Sequence, residues 1–213
     1  MARPRKEKAR DTRRLILEAA LDLFATSGYF GTSMRQISRA VGVRESALYH
    51  HFASKEAILA GLLDDLGPGR ARELFSIDAE ALAKTVGAKK LLYTLMVRII
   101  ETWETPQEQK LARLILSEGP RLSREGVFHP MNRMLQAREH LAQIFTALVK
   151  LKMIRPVDPQ AVTLTFMGPL FMLRMGYLVM SPTPQMQKLR READAHFNFF
   201  WENLKKTNER SPY

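Results

Sequence analysis

Cysteine is absent from this chain of 213 residues, which excludes a disulfide frame, a thiol nucleophile and a thiolate metal site. Its absence fits a reducing cytoplasm. Long apolar runs are missing as well, since no stretch approaches the roughly 18 apolar residues that a membrane span requires. The nearest, Val162 to Met180, is interrupted by Gly168-Pro169 and by Arg174. The N-terminus is basic and polar, without the apolar segment of a secretory signal. No strict apolar–polar alternation of a half-buried strand occurs, and no tandem repeat. Catalytic signatures are lacking too: no serine–histidine–acid set, no glycine-rich phosphate loop and no His-Glu-x-x-His. His129 and His140 are too isolated to suggest a metal site and are assigned to surface or interface. No enzymatic activity, cofactor, metal or membrane partner is therefore expected.

What is present is an apolar fraction of 46%, enough for a sizeable core, and a formal net charge of +11. Such a charge favours polyanionic partners. Its distribution is uneven: Arg3, Arg5, Lys6, Lys8, Arg10, Arg13 and Arg14 crowd the first fourteen residues against only Glu7 and Asp11. Residues 1–10 read as a solvated basic arm. The rest of the excess lies from Arg70 onward, so charge alone does not locate a binding surface.

The most specific stretch is 31–59, GTSMRQISRAVGVRESALYHHFASKEAIL. Ser33-x-x-Gln36 has the form of a capping box and should start a helix. Met34, Ile37 and Val41 recur at helical spacing and give it one buried face. Gly42 follows, where a left-handed residue would end the helix without a Cβ penalty. A second short helix is expected from about Arg44 to His51, held through Val43, Ala47 and Leu48, with Arg44, Glu45, Ser46, Tyr49 and His50 on its other face. A helix, a tight turn and a short polar second helix is the geometry that places side chains in a DNA major groove. Beside it the basic arm could follow phosphates or enter the minor groove. A longer helix should precede this pair, capped by Asp11 or Thr12 and running to about Thr26, with Leu15, Ile16, Ala19, Ala20, Leu23 and Phe24 inward. Ser54 should cap a fourth helix from Lys55 to about Leu66, and Gly67-Pro68-Gly69 then breaks the chain.

The run Gly-Thr-Ser-Met-Arg-x-Ile, then Val-Gly-Val, Leu-Tyr-His-His-Phe and Ser-Lys-Glu-Ala, resembles the N-terminal domain of the TetR family of bacterial transcriptional regulators. The resemblance covers about residues 11–65, with a weaker echo in LSEGPRLSREG. It implies that Thr32 and Ser33 bind phosphate through hydroxyl and backbone N–H groups at a helix start. It also implies that Tyr49 meets the DNA backbone, that His50 contacts phosphate or a base edge, and that Lys55 binds phosphate. Packing against the first helix is the other reading of Tyr49, and Phe52 is assigned to the core. Residues 44–47, Arg44, Glu45, Ser46 and Ala47, should carry most of the sequence reading. Here the chain departs from the common pattern, with Arg44 in place of a small hydroxyl cap and Glu45 in place of a frequent lysine. Arg44 is open between a bidentate guanine contact and a phosphate contact. Glu45 is open between a cytosine contact and a surface acid that pairs with Arg44 or offsets the helix dipole.

The remainder reads as helix near 79–104, 106–118, 127–153, 158–180 and 185–207, with breaks at Thr105-Pro106, Gly119-Pro120, Arg155-Pro156 and Ser181-Pro-Thr-Pro184. The expected fold is all-α with about nine helices: a basic arm at 1–10, a helix-turn-helix head with its fourth helix at 11–66, a helical effector and dimerisation body at 67–208, and a tail at 209–213. Val162, Phe166, Leu170, Leu173 and Tyr177 on one helix, and Leu189, Ala193, Phe197, Phe200 and Leu204 on the last, make apolar stripes, with Phe199 and Trp201 adding to the second. The resemblance implies that these two helices form a four-helix bundle across a twofold axis, so that two heads read a pseudo-palindrome on double-stranded DNA. It further implies a body pocket for a small apolar or amphipathic ligand that releases a repressor. Candidates are Met96, Trp103, Met134, Phe145, Phe166, Met167 and Phe171, each of which could equally be core packing. Arg98 and Arg174 interrupt apolar stripes, and either snorkel to an acid such as Glu101 or Glu104 or receive an anionic head group. The same fold could also act as an activator, or under control of a protein partner.

Overall fold

The computed structural model describes residues 5–66 and 74–206. Residues 1–4 of the basic arm, the Gly67-Pro68-Gly69 break and the tail at 209–213 lie outside the described residues. Within them the fold is all-α, with ten α-helices: α1 (Arg5–Ser27), α2 (Met34–Val41), α3 (Glu45–His51), α4 (Lys55–Asp65), α5 (Ala79–Val86), α6 (Ala88–Trp103), α7 (Pro106–Arg124), α8 (Pro130–Lys150), α9 (Pro159–Arg174) and α10 (Met186–Leu204). A π-helical turn, Met175–Val179, continues α9. The expected long helix at 79–104 is two helices because Gly87 adopts φ +83°, a conformation that glycine reaches without Cβ strain.

The chain forms two units, one of residues up to Arg70 together with Thr105–Met131, the other of Ala71–Glu104 together with Asn132 onward. This corrects a division made once at Gly67-Pro68-Gly69, because α7 belongs with the head. Leu111, Leu114 and Leu122 of α7 share one core with Ile16, Leu17, Ala20, Leu21 and Phe24 of α1 and with Ile37, Leu48, Ile58 and Leu62. The same packing explains why Gly119-Pro120 does not end the helix. Pro120 removes one intrahelical bond, but Leu114 and Leu122 on either side of it are buried in that core. Helix α1 also starts earlier than Asp11, since residues 5–11 contain strong helix formers and no breaker. Its buried stripe runs through Ile16, Leu17, Ala20, Leu21 and Phe24, and Leu15 faces outward.

In the second unit, α5, α6, α8, α9 and α10 enclose a core in which Phe145, Phe166 and Phe200 meet edge to face, with centroids 5.1–6.1 Å apart. The expected stripes on the last two helices are buried there: Val162, Phe166, Leu170 and Leu173 on α9, and Leu189, Ala193, Phe197, Phe200 and Leu204 on α10. The reading of Val162–Met180 as too interrupted for a span needs correction. Pro159–Val179 forms one continuous 21-residue helical stretch, long and apolar enough by length and composition to cross a membrane. Its inner face belongs to the core just described, while Leu164, Phe171 and Met172 lie exposed on the opposite side.

His196 of α10 sits over this core, its Nε2 3.2 Å from the Phe166 carbonyl oxygen, which it must meet as an N–H donor. Burial lowers its pKa below the ordinary 6.5. The unfolded chain therefore takes up the proton at higher pH than the native state does, and stability should decline as pH falls below 6.5 and on through the lowered native value. Thermal midpoints at pH 7.5 and 5.5 check this: His196→Gln should show a smaller acid loss than the unaltered protein, and equal losses would assign the decline to other groups.

Candidate nucleic-acid interface

The turn between α1 and α2 is built by short-range hydrogen bonds. Ser33 caps α2, its hydroxyl accepting from the Gln36 amide while the Gln36 side chain accepts from the Ser33 amide at 2.7 Å, the reciprocal pattern expected of a capping box. Gly42 closes α2 at φ +74°, and its amide donates to Arg39. Thr32 is buried at 3% exposure, with its hydroxyl donating to the Gly28 carbonyl at 2.8 Å. Its amide donates to Tyr29 at 3.3 Å. The Thr32 hydroxyl and the Thr32 and Ser33 amides are thus engaged within the protein. The Ser33 hydroxyl donates to the Gln36 side-chain oxygen at 2.9 Å and the Gln36 amide is held by Ser33, which leaves the Met34 and Arg35 amides as the first-turn donors without an intrahelical acceptor.

On α3, Arg44 is the N-cap, in extended conformation and without a side-chain cap bond. Arg44, Glu45, Ser46, Tyr49 and His50 are exposed, Ala47 is half-buried, and Leu48 and Phe52 are in the core. The exposed Tyr49 ring supports an outward role over packing on α1. Glu45 does not pair with Arg44. Its carboxylate lies 3.8 Å from Nε of Arg35, an exposed arginine in the first turn of α2. Sequence reasoning passed over Arg35, although its place two residues after the Ser33 cap sets it at the N-terminal end of α2.

Lys55 opens α4, and its ammonium is held inside the head. Nζ donates to the Tyr29 carbonyl at 2.8 Å and the Thr32 carbonyl at 2.7 Å, and lies 4.4 Å from the centroid of the Tyr29 ring. Burial lowers its pKa, and the carboxylates of Glu56 and Glu118 oppose that. The Tyr29 hydroxyl donates to Glu56 at 3.1 Å, and burial together with that carboxylate drives the phenol well above its usual range. Glu56 is held below the usual carboxylate range, first by the Ser54 hydroxyl and then by backbone N–H bonding at the helix start. Thr32, Ser33 and Lys55 are thereby fixed relative to one another, and Leu48 anchors α3 in the core of the same unit.

The residues considered for a ligand are brought together only in part. Met96, Trp103, Phe145 and Phe166 are buried in the core of the second unit, and Met167 packs against it. Arg174 places its guanidinium 5.1 Å from the Trp103 ring centroid. Arg98 is exposed and pairs with Glu101 at 3.7 Å, one turn along its own helix. Met134 and Phe171 are also exposed, so these three fall outside that core. A separate cleft of about 630 Å³ lies at the junction of α5, α6 and α10, lined by Val86, Lys89, Lys90, Tyr93, Asp194 and Phe197 among others. Tyr93 donates to Asp194 across it at 3.0 Å. No sequence signal marked this cleft, because its walls come from segments a hundred residues apart.

Comparison with known proteins bears on this arrangement. Residues 16–62 match the family model for bacterial regulatory proteins of the tetR family. The uncharacterized HTH-type transcriptional regulator TtgW of Pseudomonas putida is 27% identical over 143 residues, covering 67% of this chain and 98% of that protein. The HTH-type transcriptional regulator AcrR of Shigella flexneri is 32% identical over 117 residues, 54% of this chain and 53% of its own length. Among solved structures, the SmeT–triclosan complex superposes with a TM-score of 0.70 at 20% identity, covering 93% of each chain, a likeness of fold. With the capped α2, the left-handed Gly42 and the exposed face of α3 in one unit, the chain belongs to the TetR family of bacterial regulatory proteins and is a DNA-binding transcriptional regulator.

Proposed function

We propose that the protein is a homodimeric repressor that grips a pseudo-palindromic operator and is released by a small apolar or amphipathic ligand. The observation that carries the grip is the joint fixing of Lys55, the α1–α2 turn and the exposed edge of α3 in one head. The start of α2 at Ser33, through the Met34 and Arg35 amides, would hold phosphate together with Tyr49 and Lys55, with Thr32 buttressing the turn from inside. Arg44, Ser46, Ala47 and His50 would approach base edges, and Glu45 would orient Arg35 toward the same groove.

The dimer reading is supported by the apolar residues left exposed on the last two helices. Leu164, Gly168, Phe171 and Met172 fall at helical spacing on the outer side of α9, and Phe199 projects from α10 at 73% exposure. For the ligand, the Trp103 ring with the Arg174 guanidinium 5.1 Å from its centroid offers an aromatic wall with a cation at its edge, suited to an apolar body with an anionic end. Release would come from a ligand with greater affinity for the dimer whose heads are wrongly spaced, since only differential affinity shifts such an equilibrium. The chain enters α7 from the second unit at 104–105 and returns to it at 131–132, so α7 and α4 are the proposed route.

Selection of bound duplexes from a random pool tests the reading, and recovery of no sequence preferred over random DNA at physiological salt would overturn it. With the selected site in hand, Arg44→Ala should relax preference at one symmetric position by roughly 1–3 kcal/mol per half-site. A uniform loss on all sequences would instead make Arg44 a phosphate contact.

A further inference from the structure

We infer that Glu118 of α7 is the positioning residue for the phosphate-gripping turn, an inference that rests on the proposed role of that turn and Lys55 in holding DNA. Its two carboxylate oxygens both accept from the Tyr29 amide at 3.1 Å. This bond ties α7 to a residue 89 positions away in sequence, at the point where α1 has ended and the chain turns toward α2. The carboxylate occupies the space beside Gly28, where any Cβ would collide with Oε1, and Gly28 itself stands at φ +74°. Close approach of an acid and a left-handed residue are both met by glycine alone.

Tyr29 is the hub of the head. Its amide is held by Glu118, its carbonyl by Lys55, its hydroxyl by Glu56, and its ring lies between Phe24 and Phe30 at 5.1 and 5.2 Å. Lys55 spans the Tyr29 and Thr32 carbonyls, so the position of the Tyr29 peptide sets both the ammonium and the start of α2. Two further contacts seat α7 against the same region: Lys110 with Asp22 at 2.5 Å, and the Arg121 guanidinium 4.0 Å from the Phe30 centroid. Both involve exposed or half-exposed groups and contribute little orientation. The Glu118 bond is charge-assisted and part-buried, which makes it the directional member of the set.

The test uses full-length protein and the duplex it selects from a random pool, with a scrambled duplex of equal length. Glu118→Gln keeps the side-chain shape and one acceptor but loses the charge and the second acceptor. It should lower affinity for both duplexes by about tenfold, the size of a weakened charge-assisted bond. The slope of log affinity against log salt should become shallower by about one per disturbed phosphate contact. Glu118→Ala should do more of the same. Hydrogen exchange of the Tyr29 amide should accelerate in both variants, and in the unaltered protein should slow on saturation with the selected duplex.

Affinity and salt slope unchanged in the variants, with unaltered protein binding normally, would overturn the inference alone. So would an affinity loss that vanishes once folded fractions are matched, since that is a stability effect. Tyr29 exchange indifferent to duplex would overturn it too, even if the variants fail to fold. Failure of the unaltered protein to bind either duplex would remove the DNA-gripping reading and the inference with it.

Discussion

Phe199→Glu is expected to leave a folded monomer that no longer holds its operator. Phe199 is 73% exposed, and its backbone carbonyl accepts from Asn203 within a regular last turn of α10, so the substitution disturbs no packing inside the subunit. In a twofold interface the same residue counts twice. Burying a phenylalanine is worth roughly 1.5–3 kcal/mol, so its loss from both sides raises the dimer dissociation constant by about 10²–10⁴-fold. The glutamate adds a desolvation penalty to that loss. Binding then loses the advantage of two linked heads, typically about 10²–10⁴. Sedimentation velocity over a concentration series, with far-UV circular dichroism to confirm folding, gives the first result and fluorescence anisotropy with the selected duplex the second. A dimer of unchanged strength would move the interface elsewhere.

The choice of Phe199 marks where sequence reasoning stops. Helical spacing picks out Phe197 and Phe200 as the inward stripe and adds Phe199 and Trp201 to it, and only the packed helix shows that Phe199 stands exposed instead. Features made by neighbours in the chain were legible: the Ser33–Gln36 box, the left-handed Gly42, the Ser54 cap and the stripes of α9 and α10. Features made by distant packing were not. Gly119-Pro120 reads as a break because local propensity opposes a helix there, yet burial of Leu114 and Leu122 in the α1 core outweighs one missing bond. Gly87 reads as a tolerated residue inside a helix, although its positive φ divides α5 from α6. In the head, Thr32 carries a polar side chain at an expected contact position, and nothing in the sequence says that its hydroxyl turns inward to Gly28. Tyr29 and Glu118 escaped notice for the same reason: each acquires its role from a partner far along the chain. The ligand residues fared worst, since methionine and aromatic composition cannot distinguish a filled core from a lined pocket.

Lys55→Ala should produce the largest change within the head, because the ammonium supports the turn and, on the proposed reading, would also meet phosphate. Removing it strips the donor from the Thr32 carbonyl and leaves the Tyr29 carbonyl with only the longer bond from the Thr32 amide, and a part-buried carbonyl without its donor costs about 1–3 kcal/mol. Water can satisfy some of that demand, so a loss of roughly 2–4 kcal/mol is expected, or about 5–15 °C in thermal midpoint for a chain of this size. The effect on DNA is separable. With the stem retained and the charge removed in Lys55→Met, each head loses one phosphate contact, and the salt slope falls by about 0.9 per head. Loss of about 1.5 kcal/mol per head lowers affinity roughly 100-fold on selected and scrambled duplexes alike. Unfolding followed by circular dichroism and anisotropy titrations at several salt concentrations distinguish the two effects. A fallen midpoint with an unchanged salt slope would leave Lys55 as a clamp that never touches phosphate. Because Lys55 and Glu118 hold the carbonyl and the amide of the same residue, Tyr29, the double variant Lys55→Met with Glu118→Gln should lose less affinity than the sum of the single losses. Strict additivity would mean that the two residues act on DNA through independent routes.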